Sequence, residues 1–142
     1  MARTLSMKDA INEALDLEME RDKTVIMMGE DIVGGAGAGG EDDAWGGVLG
    51  VSKGLYAKHP KQMIDTPLSE SAYVGAAIGA ATCGLRPVAE LMFIDFLGVC
   101  LDQIFNQGRS NKARGTSYQN LHFFKYCKIL EGYLESNINI FV

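Results

Sequence analysis

The sequence predicts an α/β fold built on a parallel sheet. Thr24-Val-Ile-Met-Met28 is a continuous apolar run bounded by charges and by Gly29, short as a strand and apolar enough to be buried on both faces, as in a parallel sheet. Two further short runs, Met63–Asp65 and Pro87–Met92, read as strands two and three. Between and around them the spacing is helical. With 142 residues the chain is long enough for one domain with a real core, one that buries about two-thirds of its unfolded surface.

Taken in order, Ser6 followed by Asp9 resembles a capping box with Asp in place of Glu, and Met7, Ile11, Ala14, Leu15 and Met19 recur at helical spacing. Glu13, Asp16, Glu18 and Glu20 read as that helix's solvated face. Residues 34–50, GGAGAGGEDDAWGGVLG, form a Gly-rich loop expected to be mobile, with Trp45 either a contact for a partner or substrate or the anchor of the loop. Gly35, Gly37 and Gly40 match GxGxxG, but a dinucleotide fingerprint needs its glycines directly after the strand and opening a helix. Here Gly29-Glu-Asp-Ile-Val33 intervenes, and Glu41, Asp42 and Asp43 would repel phosphate.

Val51–His59 is helix-compatible and is ended by Pro60. Ser69 or Ser71 can cap the next helix, in which Ala72, Gly75, Ala76, Gly79 and Ala80 make a small-residue ridge that permits close approach to a sheet or a helix; Gly84 suits its C′ position. Asp95 is expected to open a last helix carrying Phe96, Val99, Cys100, Gln103 and Ile104.

Composition excludes several function classes. A net charge of −5 provides no basic field for nucleic acid or anionic lipid. The most apolar window, Ala72–Leu85, falls short of the about 20 residues that span a bilayer, and the N-terminus lacks a signal peptide's apolar core. Cys83, Cys100 and Cys127 form no CxxC pair, so reduced thiols and a cytoplasmic location are expected, without a metal site.

His59 and His122 are the only histidines, and neither assembles with a nucleophile into a hydrolytic set; no Walker loop is present, nor a Gly-Asp-Gly motif followed by Asn for a magnesium diphosphate. What remains is Glu70, a carboxylate in the first turn of a helix, held ionised by the helix N-terminus and able to accept a strong hydrogen bond from a ligand N–H. Glu30, just past the first strand, is either a ligand contact or a solvated strand-end residue, since ligands of open α/β sheets bind at that edge.

DTPLSES, GAAIGAATCGLRPVAELMFIDF and SMKDAINEALDLEMERDKTVIMMGED closely resemble the beta subunit of the thiamine-diphosphate-dependent component of acetoin and 2-oxo acid dehydrogenase complexes, from about Thr4 to Gln107. The resemblance implies a pyrimidine-binding domain, a parallel sheet with helices on both faces, in a heterotetramer with an alpha subunit, a second beta subunit and a lipoyl acyltransferase component as partners. It implies that Glu70 is catalytic and meets N1′ of the aminopyrimidine, favouring the imino tautomer whose exocyclic nitrogen can remove the C2 proton. Phe96 would stack on the pyrimidine, with Glu30, Leu68 and Met92 lining the pocket. The magnesium and diphosphate would be held by the alpha subunit.

Residues 1–107 are thus expected to be the domain's N-terminal part and 108–142 an atypical tail, from a frameshifted or rearranged gene. Residues 1–106 carry 8 Lys+Arg against 16 Asp+Glu, whereas 107–142 carry 5 against 2. The isolated chain is expected to be inactive. A truncated, inactive fragment or an alpha-subunit-docking module is the alternative, and the Gly-rich loop favours acetoin over 2-oxo acids.

Overall fold

The fold is that of a computed structural model, which describes residues 4–34 and 46–107. Ser6 starts helix α1 (Met7–Arg21): its hydroxyl oxygen accepts the Asp9 N–H at 3.2 Å and donates to the Asp9 carboxylate at 2.6 Å. The aspartate, a methylene shorter than glutamate, is satisfied by that hydroxyl. Ala10, Ala14, Leu15 and Met19 form the buried face, and Met7 stays exposed.

Strands β1 (Val25–Gly29), β2 (Met63–Asp65) and β3 (Arg86–Ala89) form a parallel sheet in the order β2-β1-β3. Register explains the two-layered core. Met27 lies opposite both Met63 and Val88, and Met28 opposite Ala89, so alternation along each strand sends the first set to one face and the second to the other. On the first face Val25, Met27 and Met63 pack with Leu15 and Met19 of α1 and with Leu55 of the one-turn helix α2 (Leu55–Lys58). On the second, Ala89 packs with Tyr73, Val74 and Ile78 of helix α3 (Glu70–Thr82) and with Cys100 of helix α4 (Leu97–Asp102). The α/β expectation with helices on both faces holds.

Several element boundaries differ from expectation. β3 ends at Ala89 rather than Met92, because the Glu90 N–H makes the last ladder bond to the Met28 carbonyl and the Glu90 carbonyl is taken by the Tyr73 hydroxyl at 2.9 Å. The last helix does not open at Asp95: a 3-10 turn (Ile94–Phe96) precedes α4, and a π-helical turn (Gln103–Gln107) follows it. Only Leu55–Lys58 of the expected Val51–His59 helix is helical, after a series of turns in which Gly50 and Gly54 take positive φ. Ser69 is the N-cap of α3, but its side chain makes no capping bond.

The small-residue ridge is largely not the packing face. α3 buries Tyr73, Val74, Ala77, Ile78 and Ala81, leaving Ala72, Ala76 and Gly79 exposed; of the ridge's two glycines, Gly75 has a close neighbour among the described residues, the Gln103 amide oxygen lying 2.8 Å from where a Cβ would be, and Gly79 has none. Gly84, at φ 96°, ends the helix as expected. The Gly84 N–H bonds to the Ala81 carbonyl and that of Leu85 to the Ala80 carbonyl, a Schellman motif.

The acidic face of α1 is also less solvated than expected. Asp16 pairs with Lys58 and, at 2.8 Å, with the buried His59; Glu18 pairs with Arg21. Arg86 reaches Asp22 at 2.8 Å, tying β3 to the end of α1. Burial opposes ionisation of Asp16, but hydrogen bonds and charge from Lys58 and His59 outweigh it, and its carboxyl falls below the usual range. Cys83 and Cys100 are free thiols, exposed and buried respectively. No helix among the described residues is long and apolar enough to cross a membrane. The expectations for Gly35, Gly37, Gly40, Trp45, His122, Cys127 and the tail from residue 108 lie outside the described residues.

Candidate functional site

All five sequence-predicted site residues follow the carboxyl ends of the three parallel strands. Glu30 comes directly after β1, Leu68 and Glu70 after β2, Met92 and Phe96 after β3. This is the edge at which an open α/β sheet binds ligands, because each strand there hands the chain to a turn whose side chains converge.

The turn after β1 is built to point Glu30 inward. Asp31 takes a left-handed conformation at φ 56°, and Ile32, fully buried, then plugs the core. The Asp65 carboxylate at the end of β2 accepts the Val33 N–H at 2.8 Å and holds the turn down. Glu30 is thereby 95 % buried, as its exposure of 5 % states, and neither carboxylate oxygen has a hydrogen-bond partner among the described residues. Burial raises its carboxyl above the ordinary range, and the charges of Glu70 and Asp31 add to the rise. The nearby Ser69 N–H offsets this in part without completing a hydrogen bond. An ionisable group kept dry and unpaired costs stability, and such groups concentrate where a ligand supplies the partner.

Glu70 is the first residue of α3, where the helix N-terminus favours an anion. It acts electrostatically on Glu30, on the Tyr73 phenol and on the Cys100 thiol. Glu30 and Glu70 therefore share one locus. Phe96 packs edge-on against Phe93 with ring centroids 5.9 Å apart. Met92 is half-buried, and Leu68 is 84 % exposed on the connection into α3.

Two participants escaped the sequence reading. Burial, then the charge of Glu30, pushes the Glu90 carboxyl up to about 7. Tyr73 holds the Glu90 carbonyl from α3, and its own phenol is raised by burial first and by Glu30, Glu70, Cys100 and Glu90 after it. Glu90 carried a signal, since it is the one charge inside the apolar run Pro87–Met92; Tyr73 carried none, being an aromatic on a helix face.

The sequence matches the family profile described as "Transketolase, pyrimidine binding domain" over residues 3–117. The chain belongs to this family. The match of this pyrimidine-binding domain continues ten residues beyond Gln107, into the segment the composition sets apart. Relatives include the "Acetoin:2,6-dichlorophenolindophenol oxidoreductase subunit beta" of Cupriavidus necator, 79 % identical over 107 residues, and that of Bacillus subtilis, 56 % over 111 residues. Those matches cover 75 % and 76 % of this chain and 32 % of each relative. The human "Pyruvate dehydrogenase E1 component subunit beta, mitochondrial" is 39 % identical over 106 residues, 74 % of this chain and 27 % of the relative. The chain thus spans about a third or less of the length of the relatives it matches.

Proposed function

We propose that this chain supplies the pyrimidine half of a thiamine diphosphate site in the beta subunit of an acetoin or 2-oxo acid dehydrogenase component. The observation that carries the reading is the unpaired, buried carboxylate of Glu30 beside Glu70 at the carboxyl edge of the sheet. An aminopyrimidine presents ring nitrogen and N–H groups, and so matches a pair of carboxyl groups of which at least one lacks a partner.

In this reading thiamine diphosphate, when bound, supplies a carbanion able to attack a carbonyl carbon. The chain's own residues bind, orient and hold protons. Glu70 is the carboxylate that takes the hydrogen bond from the pyrimidine ring nitrogen. Glu30, raised by burial, sits behind it as a second proton-holding group. Phe96 offers an aromatic face, and Leu68 and Met92 offer apolar surface to the pyrimidine.

The mouth of the site is open. Leu68, Ile94 and Phe93 are 84 %, 78 % and 47 % exposed, and apolar side chains gathered at a site edge support completion by another subunit. We assign that role to an alpha subunit, which would hold the diphosphate and its magnesium, with a second beta subunit and a lipoyl acyltransferase completing the assembly. The Gly-rich stretch of residues 34–50 and the identity to the acetoin oxidoreductase beta subunits favour acetoin as substrate.

Thiamine diphosphate titration of the chain co-expressed with an alpha subunit tests this. Saturable binding is expected, weakened at least about tenfold by Glu70→Ala, as removal of one charge-assisted hydrogen bond implies. Equal affinity in wild type and Glu70→Ala refutes the assignment. The change in charge balance after residue 106 motivates a second reading, a module that docks on an alpha subunit without turning over. It is distinguished by co-purification of a complex that shows no turnover.

A further inference from the structure

We propose that Gly47 is a positioning residue for the carboxyl pair of the site: by presenting bare backbone it seats Glu90 over the end of β1, facing Glu30. The consequence for catalysis rests on the pyrimidine-site reading, while the geometry stands on its own.

The Glu90 side chain is wedged between two glycines from different parts of the chain. A Cβ built on Gly29, the last residue of β1, would lie 3.0 Å from the Glu90 Cβ and 3.2 Å from its Oε2. A Cβ on Gly47 would lie 2.8 Å from Oε1 and 2.9 Å from Oε2, closer than real Cβ atoms approach. Gly47 also takes φ 79°, a conformation that L side chains resist. It is tethered to the same turn that carries Glu30, its N–H bonding to the Asp31 carbonyl at 3.1 Å. From the third side the Tyr73 hydroxyl fixes the Glu90 backbone at 2.9 Å.

The charged group that faces Glu90 is Glu30, and Glu70 and Asp31 in turn face Glu30. Two carboxyls whose charges interact at a site partly shielded from water resist ionising together. Gly47 therefore sets the proton content of the site without touching a ligand. Any side chain there must displace the Glu90 carboxyl, and in this proposal the displacement parts it from Glu30.

Gly54 supplies a matched control, since it takes φ 82° with nothing within 4 Å of its Cβ position. Alanine at Gly54 therefore reports the backbone cost alone. The test is a carboxyl ¹³C NMR titration of the full 142-residue chain, with the Glu90 signal assigned by its loss in Glu90→Gln. Gly47→Ala is expected to lower the Glu90 midpoint by about one pH unit or more, toward the ordinary carboxylate range, and Gly54→Ala to leave it in place. An unchanged midpoint in Gly47→Ala, or an equal fall in both variants, overturns the proposal.

If Gly47→Ala does not fold, Glu90→Ala is introduced with it. Recovery to the stability of Gly54→Ala is expected once the obstructing carboxyl is gone, and failure to recover overturns the proposal. No cofactor is added, so failure here is separate from failure of the thiamine diphosphate titration.

Discussion

Replacing Glu90 with Gln should stabilise the folded chain, and increasingly so as pH rises. The carboxyl stands at about 7 in the folded protein against an ordinary 4.5, raised by burial and then by the charge of Glu30. A group raised on folding gives its full stability below the unfolded value and loses it as pH climbs through the folded one, so the loss accrues between about pH 4.5 and 7. A rise of this size corresponds to about 3 kcal/mol at most. Water reaches part of this side chain, and halving the figure for screening leaves about 1.5 kcal/mol. Glutamine keeps the shape and cannot ionise. Urea unfolding at pH 5 and pH 8 should show the variant gaining on wild type by about 1 kcal/mol over that interval, or about 4 °C in Tm. Parallel stability profiles for the two proteins would refute a buried carboxyl at Glu90.

Gly46→Ala should prevent native folding, because its Cβ would lie 2.1 Å from the Lys53 backbone nitrogen at φ 75°; a soluble, protease-resistant variant would contradict this geometry. Met19→Ala, at a side chain with no exposed surface under the sheet, should cost about 2–5 kcal/mol in denaturant unfolding. Tyr73→Phe removes only the hydroxyl that holds the Glu90 carbonyl and should cost about 1 kcal/mol. The hydrogen bonds of Thr24 and then Arg86 hold the Asp22 carboxyl far below its ordinary value, stability that is present above that value and lost as pH falls. Arg86→Met should therefore flatten the acid limb of the stability profile, and an unchanged limb would show that the pair contributes nothing.

Periodicity made the layers legible, because alternation and 3.6-residue spacing are imposed by burial itself. β1 and β2 lie within one residue of the runs that announce them, and the buried set of α1 retains Ala14, Leu15 and Met19 from the expected stripe. The end of β3 was illegible, since Glu90-Leu-Met continues a strand-like run and only the distant Tyr73 hydroxyl diverts its backbone. The ridge on α3 misled for a related reason. Small residues permit close approach, but the sheet is met by the larger Tyr73, Val74 and Ile78, whose burial removes more apolar surface from water.

The glycines show how one composition serves two chemistries. A Gly-rich segment after a first strand invites a phosphate-binding reading, and the charges around residues 41–43 argue against it. At the described end of that segment the glycines do something else: Gly46 passes against the Lys53 backbone, and Gly47 against a carboxyl group. A phosphate cradle uses glycine so that backbone N–H groups can reach an anion. Here the Gly47 N–H bonds to the Asp31 carbonyl, and the glycine's missing side chain makes room for an acid that burial discourages from ionising. A site that holds protons needs carboxyls kept partly from water rather than donors around an anion, and Gly47 provides the room for one of them.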